Sequence, residues 1–423
     1  MFGDLGPLCR NRSKPADLEF AMVLYYADRD REFGTRVRLF PQAPFLAGFA
    51  EPEVVWLSPP AGSIGPGPAD DRMYVIDAID KDEPYAFPYL PPYYGPTRAP
   101  VEPDANGHFA HFSPGSREFL AVHMYGSVRR VLDIFESYLG RRIEWPFRLD
   151  YPRLEIIPLI NWDNAQSGYG YIEFGRLSST EGVIHPYGLN FDVIAHEIGH
   201  TIVFSMVGFP AAGPMPLIFR AFHEACADVT ALIGLLHFDS VLDRLLRACR
   251  GNIYTLNELN RLAEISETKQ IRIASNSAKM WEVSPEPHDL SRPLTGACFD
   301  IIVYLYAAEL EYRGLIPPDL WTRTFETKTH EQWAGQVSET FARRYENRHF
   351  AFKAALMEAR DIFGHCLVSA WQAITPDQLT FESFGAALLD ACRTIAGERH
   401  QDEIRAIFQW RGIDVSVRAP EFR

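Results

Sequence analysis

Two histidines one helical turn apart, inside an otherwise apolar stretch, constrain this chain more than any other feature. The segment FDVIAHEIGHTIVF runs from 191 to 204 and contains His196, Glu197 and His200. On a helix, residues four apart share a face, so both imidazoles can reach one metal ion, with the Glu197 carboxylate beside them. Buried imidazole and carboxylate groups need polar partners, and a metal ion provides one. The spacing therefore predicts a metal centre.

A second helical segment offers the remaining ligand. LIFRAFHEACADVTALIGLL, which begins at 217, contains Glu224 and Asp228, again one turn apart on an amphipathic pattern. Zinc in hydrolases usually takes three protein ligands and a water, so Glu224 is predicted to join His196 and His200. Asp228 is predicted to accept the N–H of His196 and to fix its tautomer.

The predicted cofactor, Zn²⁺, determines the predicted chemistry. Zinc lowers the pKa of a bound water from about 15.7 to about 7 and polarises a carbonyl oxygen. Glu197 is then placed to take the proton of that water and to deliver it to a leaving amine, acting first as a base and then as an acid.

Composition and charge narrow the class of protein. The chain has 423 residues, 47% of them apolar, which is enough for a large core and more than one domain. A net charge of -14 argues against nucleic acid and anionic membrane as partners. The start lacks a secretory signal and no run of about 18 apolar residues occurs, so a cytoplasmic location is expected, with non-classical secretion left open. Six scattered cysteines predict free buried thiols.

Hydrophobic patterning divides the chain into three regions. Short apolar runs broken by Pro and Gly predict strands and long loops before 110, and the Tyr- and Pro-rich stretch from 85 to 100 is interpreted as a packed connector. A long helix is predicted from Ser113 as N-cap, with Pro114 at its first position. RLEIIPLI predicts a buried strand, and NWDNAQSGYGYIEFG an extended, partly exposed one. Helical patterns dominate after about 215. One face of the long helix carries its core residues: Leu120, Met124, Val128, Val131 and Phe135.

These motifs together resemble the thermolysin-like metallopeptidases, a gluzincin family. DVIAHEIGHTI and FHEACAD are similar to the two zinc helices of that family, and NAQSGYGYIEFG is similar to its edge strand. The resemblance spans roughly 113 to 413. It implies that Asn164 and Ala165 bind the substrate backbone in extended form, a mode in which main-chain hydrogen bonds supply affinity.

The resemblance also implies a fold class and a domain arrangement. The expected fold is α+β and two-lobed, with a β-containing N-terminal lobe, a mainly helical C-terminal lobe and the zinc cleft between them. Residues 1–110 form a β- and loop-rich region of unknown role. Residues 111–208 form the catalytic N-terminal lobe with the edge strand and the first zinc helix, and residues 209–423 form the helical lobe that carries the third ligand.

Two further segments nominate residues that act on the substrate. KQIRIASNSAK resembles the segment of the family whose arginine contacts the substrate carbonyl, which implies this role for Arg272. PHDLSRPLTGACFDIIVYLY resembles the region whose histidine stabilises the oxyanion, which nominates His288, while Arg292 stands at the usual offset and stays an alternative. Val193 and Ile271 line an apolar pocket or belong to the core.

The chain departs from the family in two places near the predicted site. Ala211 stands where the family has a tyrosine that helps to stabilise the transition state. The stretches that carry the calcium-binding carboxylates of the family are nearly free of acids here. Calcium requires six to eight oxygen ligands and is therefore not expected at that site, and Asp192, the one acid left, is predicted to cap the zinc helix.

Three functions fit these motifs. The leading prediction is a zinc metallopeptidase, an endopeptidase with peptides or proteins as substrates. The first alternative is a gluzincin aminopeptidase in which Glu173, in GYIEF, binds the free amine of the substrate. The second is a catalytically weak zinc-bound scaffold that only binds peptides. The oligomeric state is left open.

Overall fold

A computed structural model describes residues 31–46, 48–178, 184–211, 213–254, 276–318, 320 and 334–416, together with the backbone of 261–266 and 269–273. The β-strands lie mainly before residue 190, and the helices dominate after it. The α+β class expected from the sequence, with a β-containing N-terminal part and a mainly helical C-terminal part, is therefore confirmed.

Ten strands and nine α-helices form the described fold. The strands are β1 Gly34–Leu39, β2 Glu53–Pro60, β3 Met73–Val75, β4 Leu154–Ile157, β5 Ala165–Gly168, β6 Tyr171–Phe174, β7 Arg176–Ser178, β8 Ile184–Pro186, β9 Arg261–Ser266 and β10 Lys269–Ile273. The helices are α1 Arg117–Leu139, α2 Phe191–Val207, α3 Leu217–Leu235, α4 Asp239–Ala248, α5 Pro287–Tyr312, α6 Ala334–Tyr345, α7 His349–Gln372, α8 Phe381–Ala396 and α9 Gln401–Trp410.

Helix α1 begins three residues later than the sequence predicted. Its N-cap is Ser116, not Ser113, and the Ser116 side chain accepts a hydrogen bond from the backbone N–H of Phe119. Both serines suit an N-cap by residue type, but only Ser116 directly precedes the helical backbone and reaches a free N–H of the first turn. All five residues of the predicted apolar stripe are buried, so the predicted core face of α1 is confirmed.

A four-stranded sheet in the order β3-β4-β6-β5 positions the edge strand. Strands β3, β4 and β6 are parallel, and β5 pairs antiparallel with β6. The stretch predicted as one extended strand is thus a hairpin, β5–β6, because Gly170 adopts a φ of 92° in the two-residue loop. Strand β3 comes from the first 110 residues, so this region shares its sheet with the residues that follow.

The Tyr- and Pro-rich stretch packs against one face of this sheet. Tyr85 is 2% exposed, and its hydroxyl donates to the carboxylate of Glu155 on β4. Tyr93 donates its backbone N–H to the same carboxylate. Tyr85 also packs edge-on against Tyr171 of β6. The interpretation of this stretch as a packed irregular connector is confirmed.

The helical part is built around α5. Helix α3 packs between α2 and α5, and α5 also packs against α7. Helix α5 is long and apolar enough to cross a membrane, and α3 with α4 would pass the same test together although they are bent by 92°. However, 94% of the apolar window of α5 is buried inside the protein, as in a core helix. The five described cysteines are free thiols, and four are buried: Cys226, Cys298, Cys366 and Cys392.

Candidate metal centre

Helices α2 and α3 approach each other closely enough for their side chains to meet at one point. Gly199 of α2 faces α3, and a Cβ added there would lie 3.1 Å from Ala227 Cα and 3.1 Å from Thr230 Cβ. The absence of a side chain at Gly199 therefore allows the two helices to come together. This contact lies between the HExxH motif of α2 and the Glu224–Asp228 pair of α3, so it brings the predicted ligands to one place.

His196, His200 and Glu224 form a group that can hold a metal ion. Their ligand atoms all lie within 4.8 Å of one another. His196 Nε2 is 3.1 Å from His200 Nε2 and 3.5 Å from Glu224 Oε2, and His200 Nε2 is 3.9 Å from Glu224 Oε1. The three side chains that the sequence proposed as ligands thus converge, although Glu224 comes from a different helix.

These distances fit a tetrahedral ion. Ligand distances of about 2.0–2.1 Å around tetrahedral zinc separate the donor atoms from one another by roughly 3.3–3.4 Å. The observed separations of 3.1, 3.5 and 3.9 Å lie around that value. Two imidazole nitrogens and a carboxylate oxygen also form a donor set that suits zinc. The residues present therefore fit the expected metal.

Asp228 holds His196 in position from the side opposite the ligand group. Asp228 Oδ1 lies 3.1 Å from His196 Nδ1, and Thr295 on α5 donates its hydroxyl to Asp228 Oδ2 at 3.4 Å. Because Nδ1 of His196 faces a carboxylate, its proton belongs there and Nε2 is left as the ligand atom. Thr295 extends this chain of contacts to a third helix, and no sequence motif indicated its role.

The carboxyl of Glu224 is held in its charged form. Burial by itself opposes ionisation, but the hydrogen bonds with His196 and His288, together with the nearby His200, hold its pKa well below the usual range. A carboxylate that stays charged at every ordinary pH is ready to bind a cation.

Glu197 follows the first ligand on α2 and is half-buried. Its neighbours along the chain, His196 and Ile198, are buried. On the helix, Glu197 lies between the face that carries the two histidines and the core face formed by Ile194, Ile198 and Ile202. Its half-buried side chain is therefore partly open to solvent, as a base that acts on water must be.

His288 and Arg292, the two candidates for an oxyanion donor, make different contacts. His288 lies in the first turn of α5, is 55% exposed, and has Nδ1 at 3.0 Å from Glu224 Oε2. Arg292 forms an ion pair with Asp289 at 2.8 Å. His288 is therefore at the ligand group, whereas the guanidinium of Arg292 is held by its own helix. Arg272 belongs to β10, but its side chain lies outside the described residues.

Strand β5 passes beside the metal centre. Ser167 Oγ of β5 lies 3.0 Å from Thr201 Oγ1, and Thr201 directly follows His200 on α2. Asn164 is exposed, and Ala165, half-buried, is the first residue of β5. Because β5 is at the edge of its sheet, it has one side on which an extended peptide can pair.

Glu173 lies on the face of the sheet that points away from α2. It is fully buried, and Lys81 Nζ lies 2.7 Å from its Oε2, while Gln166 and the backbone of Tyr85 donate to its Oε1. Its neighbour across the hairpin, Gln166, alternates with Ser167, which faces α2. The carboxylate is thus engaged by the connector, which does not favour an amine-binding role.

The remaining predictions concern the cap of α2, the apolar pocket and the position of the missing tyrosine. Asp192 is not the cap of α2: the N-cap position is Asn190, and Asp192 is buried in the first turn, where a negative charge still interacts well with the helix dipole. Val193 is 8% exposed and belongs to the main core, while the side chain of Ile271 lies outside the described residues. Ala211 is exposed, and its N–H donates to Asp377 Oδ1 at 2.8 Å.

His223 is a further histidine at the site that the motifs did not reveal. Its ring is 4% exposed, stacks on the ring of His200 with a centroid distance of 5.9 Å and an angle of 14°, and packs 4.1 Å from the ring of Phe204. Burial, the main cause, lowers its pKa well below the usual range, so the ring is neutral. Its place directly before Glu224 was the signal available in the sequence.

Comparison with known proteins shows a likeness among solved structures. No protein-family model matches the chain, and no curated protein matches its sequence. Among solved structures, the precursor of protealysin, a metalloproteinase from Serratia proteamaculans, is similar over 80% of this chain and 86% of that chain, with a TM-score of 0.41 and 13% sequence identity. The assignment of the site therefore rests on the geometry described above.

Proposed function

We propose that this protein is a zinc-dependent metallopeptidase of the thermolysin-like, gluzincin type that cleaves bonds inside peptide or protein chains. The observation that carries the proposal is the convergence of His196, His200 and Glu224, within 4.8 Å of one another, beside a half-buried Glu197. A metal-binding scaffold has no need of a carboxylate at that position, whereas a hydrolase needs a base next to the attacking water.

In this proposal the ligands and their supports have separate tasks. His196, His200 and Glu224 hold the ion, and Asp228 keeps His196 Nε2 directed at it. Zinc bound there would supply Lewis-acid polarisation of the scissile carbonyl and lower the pKa of a water. Glu197 takes the proton of the attacking water on its carboxylate and gives it to the nitrogen of the leaving amine.

The remaining residues orient the substrate. The free side of β5, with Asn164 and Ala165 at its start, pairs with the extended backbone of the peptide. This pairing places one carbonyl of the substrate at the metal centre. His288, exposed at the rim, donates a hydrogen bond to the oxyanion that develops on that carbonyl, and Arg272 contacts the substrate carbonyl from β10. A positioned donor of this kind is worth roughly 2.7–4 kcal/mol of the barrier.

Replacement of Glu197 by Gln tests the proposal. The purified protein is expected to contain one zinc per chain, measured by elemental analysis, and to cleave a peptide library at internal bonds. Glu197→Gln should retain the zinc and lose roughly 10²–10⁴-fold in kcat/KM, because the amide cannot accept the proton. Glu382→Gln, at another half-buried helical glutamate, is the matched control and should leave the rate unchanged.

Three outcomes contradict the proposal. Cleavage that survives in Glu197→Gln would remove the base from the mechanism. Zinc bound at one per chain without cleavage of any peptide would leave a peptide-binding scaffold as the better description. Release of single residues from the amino end, with no internal cleavage, would instead restore the aminopeptidase alternative.

A further inference from the structure

A row of aromatic rings leads from the metal centre to the protein surface. The ring of His200 stacks on His223 at 5.9 Å, His223 packs on Phe204 at 4.1 Å, and Phe204 stacks on Phe209 at 4.3 Å. Phe209 lies 6.2 Å from the ring of Tyr169. The rings of Phe204, Phe209 and Tyr169 form the outer end of this row, and we call these three residues the aromatic shelf.

The shelf is exposed but well anchored. Phe209 is 40% exposed and Tyr169 is 44% exposed, while Phe204 beneath them is half-buried. The Tyr169 hydroxyl donates to Asp150 Oδ2 at 2.7 Å, and its ring packs on Tyr151 at 5.9 Å. Phe209 is nearly parallel to Phe204, with an angle of 17° between the rings. The shelf therefore presents ordered apolar surface to solvent, which is more informative than an isolated exposed ring.

The shelf lies at the far end of the strand on which a peptide would pair. Tyr169 follows the last residue of β5, Gly168, and Ser167 lies at 3.0 Å from Thr201, next to the ligand His200. A strand advances about 3.3 Å per residue, so Ala165 and Gly168, at the two ends of β5, are about 10 Å apart, and Tyr169 follows in the loop. A peptide paired along β5 with its scissile bond at the metal would reach the shelf about two to four residues away from that bond.

We propose that the aromatic shelf binds a large apolar side chain of the peptide substrate, about two to four residues from the scissile bond, and so determines part of the specificity. This inference rests on the proposed function. The occupant is apolar because the surface offered is made of ring faces and the polar group of Tyr169 is already bonded to Asp150. An aromatic side chain suits it best, since offset and edge-on ring pairs add to the burial of area.

Peptides of equal length with one variable position test this inference. The starting point is a reference peptide that the protein cleaves. One position at a time, from the second to the fourth residue on either side of the scissile bond, carries either Phe or Ser. The value of kcat/KM is measured for both peptides of each Phe/Ser pair. Wild-type protein should prefer Phe about ten-fold or more at one or two adjacent positions on a single side. Phe209→Ala and Tyr169→Ala should reduce that preference to about two-fold while leaving the Ser peptides unchanged.

Matched variants separate recognition from folding. Phe350→Ala removes another exposed ring, 80% exposed at the start of α7, and should keep the full preference. Phe209→Leu retains an apolar side chain and should keep an intermediate preference. Circular dichroism and zinc content verify that each variant is folded. An unchanged Phe preference in Phe209→Ala and Tyr169→Ala, or an equal loss for Phe and Ser peptides, overturns the inference.

The aromatic shelf can also be tested if the protein has no peptidase activity. If wild-type protein cleaves no peptide, the same Phe and Ser peptides are labelled and their Kd for the wild-type protein is measured by fluorescence anisotropy. Tighter binding of a Phe peptide that is lost in Phe209→Ala would preserve the shelf as a binding subsite without catalysis. Equal binding of the Phe and Ser peptides would overturn the shelf as well.

Discussion

At the scale of single residues, two of the buried histidines, His123 and His223, show how differently the same side chain can be accommodated in a protein interior. His123 is bonded on both nitrogens: Nε2 accepts the N–H of Phe40 at 2.9 Å, and Nδ1 lies 2.9 Å from the carbonyl of Gly188. His223 is also buried, but neither of its ring nitrogens has a hydrogen-bond partner among the described residues. Its surroundings are aromatic, so the desolvation of the imidazole is uncompensated.

Replacement of His223 by Phe should therefore stabilise the protein. Leaving a buried polar group unpaired costs roughly 1–3 kcal/mol, and a phenyl ring fits the same stack on Phe204 and Phe219. We expect the free energy of unfolding in urea to rise by about 1–2 kcal/mol with unchanged zinc content. His123→Phe is the control and should destabilise, since it strands two bonded backbone groups. A loss of stability in His223→Phe would show that the imidazole has a partner in solution.

At the scale of elements, the metal centre depends on the distance between α2 and α3. The ligands come from both helices, and at Gly199 the backbone of α2 lies close to Ala227 and Thr230 of α3. Rigid packing transmits a small displacement along a helix and does not absorb it locally. Gly199, which lies between the two ligand histidines, therefore helps to set the distance between the ligands on α2 and the ligand on α3.

Gly199→Ala should weaken the metal centre without removing a ligand. The new methyl would lie 3.1 Å from backbone and Cβ atoms of α3, so the helices must separate by a few tenths of an ångström. We expect a loss of about 1–3 kcal/mol in stability and weaker zinc retention in a chelator titration. Gly335→Ala on α6, where a Cβ meets nothing within 4 Å, is the control. Equal behaviour of the two variants would contradict the close packing.

At the scale of the whole molecule, His123 connects three distant parts of the chain. It lies on α1, accepts from Phe40 after β1, and faces Gly188 just before α2. Burial lowers its pKa to about 4, although the backbone carbonyls of Phe40 and Gly188 beside the ring favour the charged form. The unfolded chain takes up this proton near pH 6.5, so the native connection between the N-terminal hairpin and helix α2 depends on a neutral ring.

The contribution of His123 to stability should depend on pH in a defined window. Because the folded pKa is depressed, the stabilisation is complete above pH about 6.5 and is lost as pH falls towards about 4, a difference of about 3 kcal/mol. His123→Gln, which preserves one acceptor and one donor, should show less pH dependence of the free energy of unfolding between pH 7.5 and 4.5. Parallel curves for the two proteins would contradict a neutral His123.

The local features of this protein were determined by the sequence. The apolar stripe on α1 and the pairing of His196 with His200 follow from helix pitch, which neighbouring residues specify by themselves. The α+β class follows from the change of pattern along the chain. Only the tertiary structure decided the contacts between distant segments, because these depend on how packed elements approach each other.

Three contacts between distant segments determine which side chains meet at the candidate metal centre. Glu224 meets the two histidines where Gly199 leaves room for α3 beside α2. His288, and not Arg292, lies at the ligand group because its place in the first turn of α5 brings it to Glu224. Glu173 points away from α2 because the hairpin at Gly170 sets the register of β6, which motif spacing does not reveal. Residue type and spacing determined which side chains can bind a metal, whereas packing decided which of them meet.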